Sequence, residues 1–451
     1  MKSNFPGESM SAKLRILLVS ALVATSLIAS NTALSPAKAA GEKTLKIWTF
    51  GNVIQPLLVR EYKALHPEIT LDIKKSDLDP LNGRDLVTAC TAGSSGPDIT
   101  AIEIAYSGYW RSYPQCFVDL RNMKTTVGKK SAKTIKKDYL PWRWANGVAY
   151  NGSVIGIPTD VGGLQVAYRT DLFKKAGLPT NRVAVGKLWP TWEKFIAVGE
   201  KYMNSLSAKE KKAGLGFMDN AGTIFAAKLN QGKEKYYRNN NTPNGVLIYK
   251  KNKSVKDAFD ATVVALNKKI GTRVGQFTSD WNVGMTKGKF AVILAPAWML
   301  DYIKQQAPKT AGKWDVAAIP GGGGNQGGTQ LSIPTSGNPA NRQAAWDFIQ
   351  WYLAPAQQLK IFKTYGFFPT TTSLYDDPAL LNFKSEFFNN APIGKIYAQG
   401  VSKLKPIFEG KKQRAIDSAF GNALARIAAG KQKPAAAWKK ALAEIATAVG
   451  G

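Results

Sequence analysis

The sequence predicts an α/β protein in two domains, on three observations. Short stretches of alternating apolar residues are interleaved with stretches whose apolar residues fall at helical spacing. Roughly 410 residues follow an N-terminal leader, too many for one typical domain and suited to two. Apolar residues make up 44% of the chain, the ordinary share for a globular protein.

Residues 45–50 alternate as a strand, with Leu45 and Ile47 on one face. Ile54, Leu57, Leu58, Tyr62 and Leu65 then form a helical stripe. It stops at His66-Pro67, because a proline disfavours helical geometry in the residue before it. Residues 69–73 are the next strand, and the spacing predicts a parallel pair with a crossover. Residues 86–92 read as a helix ending at Gly93, and Gly96-Pro97-Asp98 turns into a third strand at 99–104. From Ile155 to Arg169 a strand pair without long apolar runs suits a crossing between domains.

A short helix at 172–176 precedes Gly177 and Pro179, and a longer one at 192–202 starts at Pro190-Thr191. Residues 204–275 read as mostly helical, with Asn- and Lys-rich loops. A helix ending at 289 gives way to a buried strand at 290–294, and 321–328 is a glycine-rich connector. Asn338-Pro339 caps a helix through Leu353, Pro355 starts another, and helices at about 414–429 and 435–449 finish the chain.

Residues 1–40 read as a cleavable signal peptide. Lys13 and Arg15 precede an apolar run at 16–29, and Ala37-Lys38-Ala39 supplies a small-residue cleavage site. The run is short of the roughly 20 apolar residues that a membrane span needs. No cysteine stands near the cleavage site to carry a lipid anchor, so the expected location is periplasmic or secreted. Cys90 and Cys116 are the only cysteines. Export permits a disulfide between them, the alternative being two buried thiols.

Net charge is +30, or about +27 without the leader, much of it in pairs such as Lys136-Lys137 and Lys411-Lys412. Such a field steers an anionic ligand, holds the chain near an anionic membrane or wall, or is a solvated surface. No zinc module, helix-turn-helix signature or aromatic-basic RNA motif is present, so no nucleic-acid partner is expected.

An ordered set of short motifs covers nearly all of the remaining chain. It comprises Leu45-Lys-Ile-Trp-Thr-Phe50, Glu-Tyr-Lys-Ala-Leu-His-Pro67, Gly-Pro-Asp-Ile99, Ile-Pro-Thr-Asp-Val-Gly-Gly-Leu164 and Tyr-Arg-Thr-Asp-Leu172. Gly-Lys-Phe-Ala-Val-Ile-Leu294 with Trp298, Gly-Gly-Thr-Gln-Leu331 and Gly-Phe-Phe-Pro369 follow. In this order the set resembles the extracellular solute-binding proteins of ABC importers, in the carbohydrate-uptake group that includes maltose-binding protein. The resemblance implies a two-lobed, type II periplasmic-binding-protein fold with discontinuous lobes joined by hinge segments. It implies lobe one at 41–160 plus 327–366 and lobe two at 161–326 plus 367–451. A sugar or oligosaccharide would be captured between them by hinge closure and delivered, unaltered, by a monomer to permease subunits.

A sugar presents apolar ring faces and a rim of hydroxyls, which aromatic and polar side chains complement. Trp298 follows a strand where the family places a stacking tryptophan, or it is core. Glu103 ends a strand where α/β folds place ligand groups, or it is a solvated strand end. Of Tyr106 and Trp110, one is expected to face the cleft. Asp160 sits at the lobe crossing as a ligand group or as a hinge ion-pair partner. Phe50 and Asn52 follow the first strand, where a helix N-terminus also donates. Asp219 and Asn220 lie in a loop that faces the cleft in the family. Gly328 and Thr329 open the return strand, and glycine permits close backbone approach. Phe367 and Phe368 flank the second crossing. Asp417 is a weaker match.

No cofactor and no metal site are expected, since His66 is the only histidine. Enzyme chemistry is not expected either. There is no Gly-x-Ser-x-Gly elbow and no phosphate loop, although Glu103 with Asp160 leaves an exported glycoside hydrolase as an alternative. The other alternative keeps the fold and binds an anionic solute, a sugar acid or glycerophosphodiester, as the basic balance suggests.

Overall fold

The computed structural model describes residues 43–124, 131–240, 242, 245–402, 404–405 and 407–450. The leader expected at 1–40 lies outside them. In chain order the strands are β1 (Lys43–Thr49), β2 (Ile69–Lys75), β3 (Ile99–Glu103), β4 (Ile157–Pro158), β5 (Leu164–Arg169) and β6 (Gly216–Met218). β7 (Tyr237–Arg238), β8 (Val246–Leu247), β9 (Phe290–Pro296), β10 (Trp314–Ala317) and β11 (Thr329–Ser332) complete them. They form two main sheets, ordered β2-β1-β3-β11-β4 and β10-β5-β9-β6, and β7 with β8 makes a small hairpin.

The first sheet follows from the opening pattern. β1 and β2 pair in parallel with Leu45 opposite Leu71 and Ile47 opposite Ile73, joined by the helix Pro56–Leu65. Leu58 and Tyr62 on that helix are buried, and Tyr62 meets Phe348 edge-on. The Gly-Pro-Asp turn is held by Asp98, whose carboxylate accepts from the Lys46 and Asn338 amides at 2.9 Å. β3 runs beside β1, and β11 returns antiparallel to β3 with Thr329 opposite Glu103. A strand from far along the chain thus completes this sheet. Cys90 and Cys116 are joined by a disulfide, which packs with Trp110 and Phe117.

The second sheet is buried on both faces. Along β9, Phe290, Ile293 and Ala295 join one core while Ala291, Val292 and Leu294 join another. Double burial explains an unbroken apolar run where a half-exposed strand would alternate. The region 204–275 departs from its mostly helical reading. It contributes β6 to the sheet edge, parallel to β9, and the hairpin, besides the helix Lys253–Asn267. Two terminal helices, Gln413–Ala428 and Pro434–Gly450, pack with Lys253–Asn267 through Phe420, Phe259 and Trp438.

Candidate ligand-binding site

Three segments join the sheets side by side. Asp160 and Pro369 form an antiparallel bridge, and the Val161 amide donates to Phe368 O at 3.0 Å. Gly163 bridges Asn325, and the Gln326 amide donates to Gly162 O at 2.8 Å. Gly162 has no room for a side chain, because a Cβ would run into the Gln326 carbonyl. Phe367 packs against the core of the first sheet, while Phe368 is buried in a core of the second. The Phe-Phe pair therefore straddles the crossing.

Arg143, wholly buried, ties these segments together. Its guanidinium donates to Asp160 O at 3.0 Å, Thr329 O at 2.7 Å and Asn146 Oδ1 at 3.1 Å. The Asp160 carboxylate accepts from the Thr329 amide at 2.9 Å and from the Thr159 hydroxyl at 2.7 Å. Burial pushes the Asp160 carboxyl up, while Arg143 and these donors pull it back. Asp160 is thus a buried lock on the crossing, with its donors supplied by the protein. Gly328 has φ +117° and lies against Arg143 and Asp160, so its freedom serves the same knot.

Glu103 ends β3 and caps the helix Ile104–Trp110, accepting from the Ala105 amide at 2.7 Å. The next amide, Ile104, donates to Gly328 O at 2.9 Å. Burial pushes the Glu103 carboxyl up to about 7; Glu409 adds to the rise, and the Ala105 amide, Arg143 and Arg414 oppose it. Tyr106 donates its hydroxyl to Asp79 at 2.7 Å, and Asp79 pairs with Arg414 at 2.8 Å. Trp110 turns inward, its indole N–H donating to Asn82 O at 3.0 Å.

Trp298 opens the helix Ala297–Gln306 directly after β9 and is partly buried. Its indole N–H donates to Gln326 O at 3.4 Å beside Gly327, which puts the ring at the connector. Phe277 stacks on it at 6.3 Å with 24° between planes. Phe277 is 51% exposed and holds φ +65°, a left-handed backbone that is unusual for a bulky residue. An exposed aromatic on a strained backbone beside a second aromatic is a ready apolar platform.

The Asp219 carboxylate is wholly buried and accepts from Trp281 Nε1 at 3.0 Å, Gln276 Nε2 at 2.8 Å and the Asn220 amide at 2.8 Å. Burial pushes it up to about 6 against those donors. It anchors its loop, with both carboxylate oxygens met by donors from the protein. Asn220 is turned to its own loop, accepting from the Gly222 amide at 2.8 Å. Asn52 accepts from Lys75 Nζ at 3.0 Å, and Phe50 packs on the core of the first sheet. Glu409, Lys235, Arg143 and Phe277 were not singled out in the sequence. Only the positions of their partners, far along the chain, give them meaning.

The chain matches the family described as bacterial extracellular solute-binding protein over residues 58–388. The lactose-binding protein of Rhizobium radiobacter is 28% identical over 310 residues, 66% of this chain and 66% of that protein, so the chain spans about two thirds of that relative. A crystal structure of an extracellular solute-binding protein of family 1 superposes with TM-score 0.76 and 32% identity, over 90% of this chain and 99% of that one. The ABC-transporter-associated binding protein of B. animalis subsp. lactis Bl-04, in complex with β-1,6-galactobiose, superposes with TM-score 0.73 and 21% identity, over 89% and 96%. With two sheets knotted at three crossings and this match over most of its length, the chain belongs to the bacterial extracellular solute-binding proteins, with their two-lobed fold.

Proposed function

We propose that this chain is the cargo-capturing component of an ABC importer and that its cargo is a carbohydrate. The observation that carries the reading is the triple crossing, with an aromatic pair on one side and a partly buried carboxylate on the other. Three short crossings permit hinge motion, and closure is selected by the cargo that fits the shut form. Trp298 and Phe277 would cover a ring face, and Glu103 would accept from hydroxyls. The relatives that bind lactose and β-1,6-galactobiose support the cargo class.

The lobes in this reading are 41–160 plus 327–366 and 161–326 plus 367–451. A leader at 1–40 would export the chain, which would act as a free monomer outside the membrane and meet permease subunits when closed. Among the described residues no helix is long and apolar enough to cross a membrane. The cargo leaves unaltered, because Asp160 is locked by protein donors and is not open to act with Glu103 on a glycosidic bond.

The test is a thermal-shift screen of disaccharides, sugar acids and amines, followed by recovery of the hits. A saccharide should raise the melting temperature, since it binds only the folded form. At a hundredfold excess over Kd the gain is about 2.7 kcal/mol. The reading fails if only metals or amines stabilise the protein, or if a hit is recovered as cleaved product.

A further inference from the structure

The excess positive charge is divided unevenly along the chain. Residues 161–326 with 367–451 carry 38 Lys and Arg against 17 Asp and Glu, a net charge of +21. Residues 41–160 with 327–366 carry 19 against 13, a net charge of +6. An asymmetry of this size between two halves points to an anionic partner surface for the more basic one.

The structure gathers part of that charge where two helices begin side by side. Lys256 Nζ lies 5.5 Å from the Trp438 ring centre, and Phe259 meets the same ring edge-on at 4.9 Å. These contacts join the first turns of Lys253–Asn267 and Pro434–Gly450. Lys250 and Lys251 precede the first helix, and Lys431 and Lys433 precede the second. The loop that carries Lys233 is tied to the same end, since Asn252 Nδ2 donates to Glu234 O at 3.0 Å and to Lys235 O at 2.7 Å. Lys233, Lys250, Lys251, Lys431 and Lys433 are all exposed.

The neighbouring carboxylates are already matched. Asp257 pairs with Lys253 at 2.8 Å, Asp260 with Lys256 at 2.6 Å and Glu444 with Arg426 at 3.4 Å. Among the described residues Lys250, Lys251, Lys431 and Lys433 enter no ion pair. The β7–β8 hairpin leads into this end, with the Ile248 amide donating to Tyr236 O and the Asn252 amide to Ile248 O, both at 2.8 Å. Val246 and Leu247 on it are 46% and 40% exposed, two adjacent apolar side chains beside the lysines.

We propose that this basic end docks the protein on an anionic phospholipid bilayer. The lysine ammoniums face headgroup phosphates, and Val246 and Leu247 meet the boundary between headgroups and acyl chains. The free cations are lysines, compact charges without the planar fork that grips one phosphate bidentately, so the face suits a diffuse layer of headgroups over a single bound anion. The exposed hairpin adds a contact that a soluble polyanion cannot use. Docking of this kind does not depend on which cargo the protein carries.

The experiment uses residues 41–451, so that the apolar run at 16–29 adds no membrane affinity; Lys43–Gly451 form one compact unit. The protein is floated with vesicles of phosphatidylcholine alone, or with about 30 mole per cent phosphatidylglycerol, at about 0.05 M and about 0.5 M NaCl, since salt screens exposed charges. Binding is expected on the anionic vesicles at low salt, with loss at high salt and none on phosphatidylcholine alone. Lys250→Glu, Lys251→Glu, Lys431→Glu and Lys433→Glu together should lower the partition coefficient about tenfold or more. Lys63→Glu, Lys133→Glu, Lys136→Glu and Lys137→Glu make the same change in net charge elsewhere and should leave most of the binding. If the first variant melts early, the same four positions changed to Gln replace it, and their loss should still exceed that of the control. No binding to anionic vesicles overturns the proposal, and so does equal loss in both variants, which would leave net charge alone at work. Capture of long-chain polyphosphate without vesicle binding would assign the face to a soluble polyanion and overturn it as well.

Discussion

Trp298 shows how one residue divides its surface among several neighbours. Its helix buries part of the ring, its indole N–H holds the connector at Gln326, and Phe277 stacks against it. Replacing Trp298 with Ala should weaken saccharide binding by about 1.5–3 kcal/mol, the value of burying one large apolar side chain. Calorimetry checks this, and unchanged affinity would return the ring to packing alone. Asp219 gives the opposite expectation. Its carboxyl titrates near 6 in the fold and near 4 when solvated, so between those values the folded state holds more protons. Stability should therefore fall as pH rises through that window and level off above it. Asp219→Asn should flatten that slope, measured by denaturant unfolding across pH. Glu103 and Trp298 stand out in the sequence because one ends an identifiable strand and the other follows one by two residues. Phe277 was not, since nothing local announces a left-handed phenylalanine.

At the scale of elements, the crossing is the stress point. Asp160→Ala leaves the Thr329 amide without its acceptor and removes the larger of the two carboxylate charges that act on the buried Arg143, Glu103 being the other. We expect a stability loss of about 1–3 kcal/mol or more, read from denaturant midpoints. The Cys90–Cys116 bridge spans 26 residues, for which chain entropy gives about 3.5 kcal/mol. Reduction should lower the melting temperature, and an unchanged midpoint would show that the packing of Trp110 and Phe117 holds the loop unaided.

Some elements wrote themselves plainly. Thr191 caps the helix Trp192–Ser205 as expected, and Pro355 opens the helix Pro355–Tyr365. β10 and β6 were missed for a physical reason. They are four and three residues long and wholly buried, so neither alternation nor length marks them. Their place in the sheet is set by partners distant in sequence, β5 and β9.

At the scale of the molecule, two buried glutamates stand where residues far apart in the chain meet. Glu103 and Glu409 both titrate near 7 here, against about 4.3 for a solvated glutamate. Around them stand Lys235, Asp417, Arg111, Arg143 and Arg414, with Tyr150, Tyr236 and Tyr237 on the packed elements. Burial of both groups, as seen here, thus holds more protons than a form with both groups in water. Lowering the pH from about 8 to about 6 should favour empty closure, and raising it should favour opening until cargo supplies hydroxyl donors. Glu103→Gln with Glu409→Gln should remove that dependence, as seen by scattering of the empty protein. The two-lobed plan was readable from the ordered motifs, whereas the seam was not, because it joins residues near 103, 235 and 409 that share no local pattern.

The most direct measurement is small-angle scattering of the protein near pH 8, empty and then saturated with the saccharide that most raises its melting temperature. Closure of two lobes over an unmodified saccharide should give a smaller radius of gyration on loading and full recovery of the intact sugar. Superimposable profiles for every stabilising sugar would contradict it.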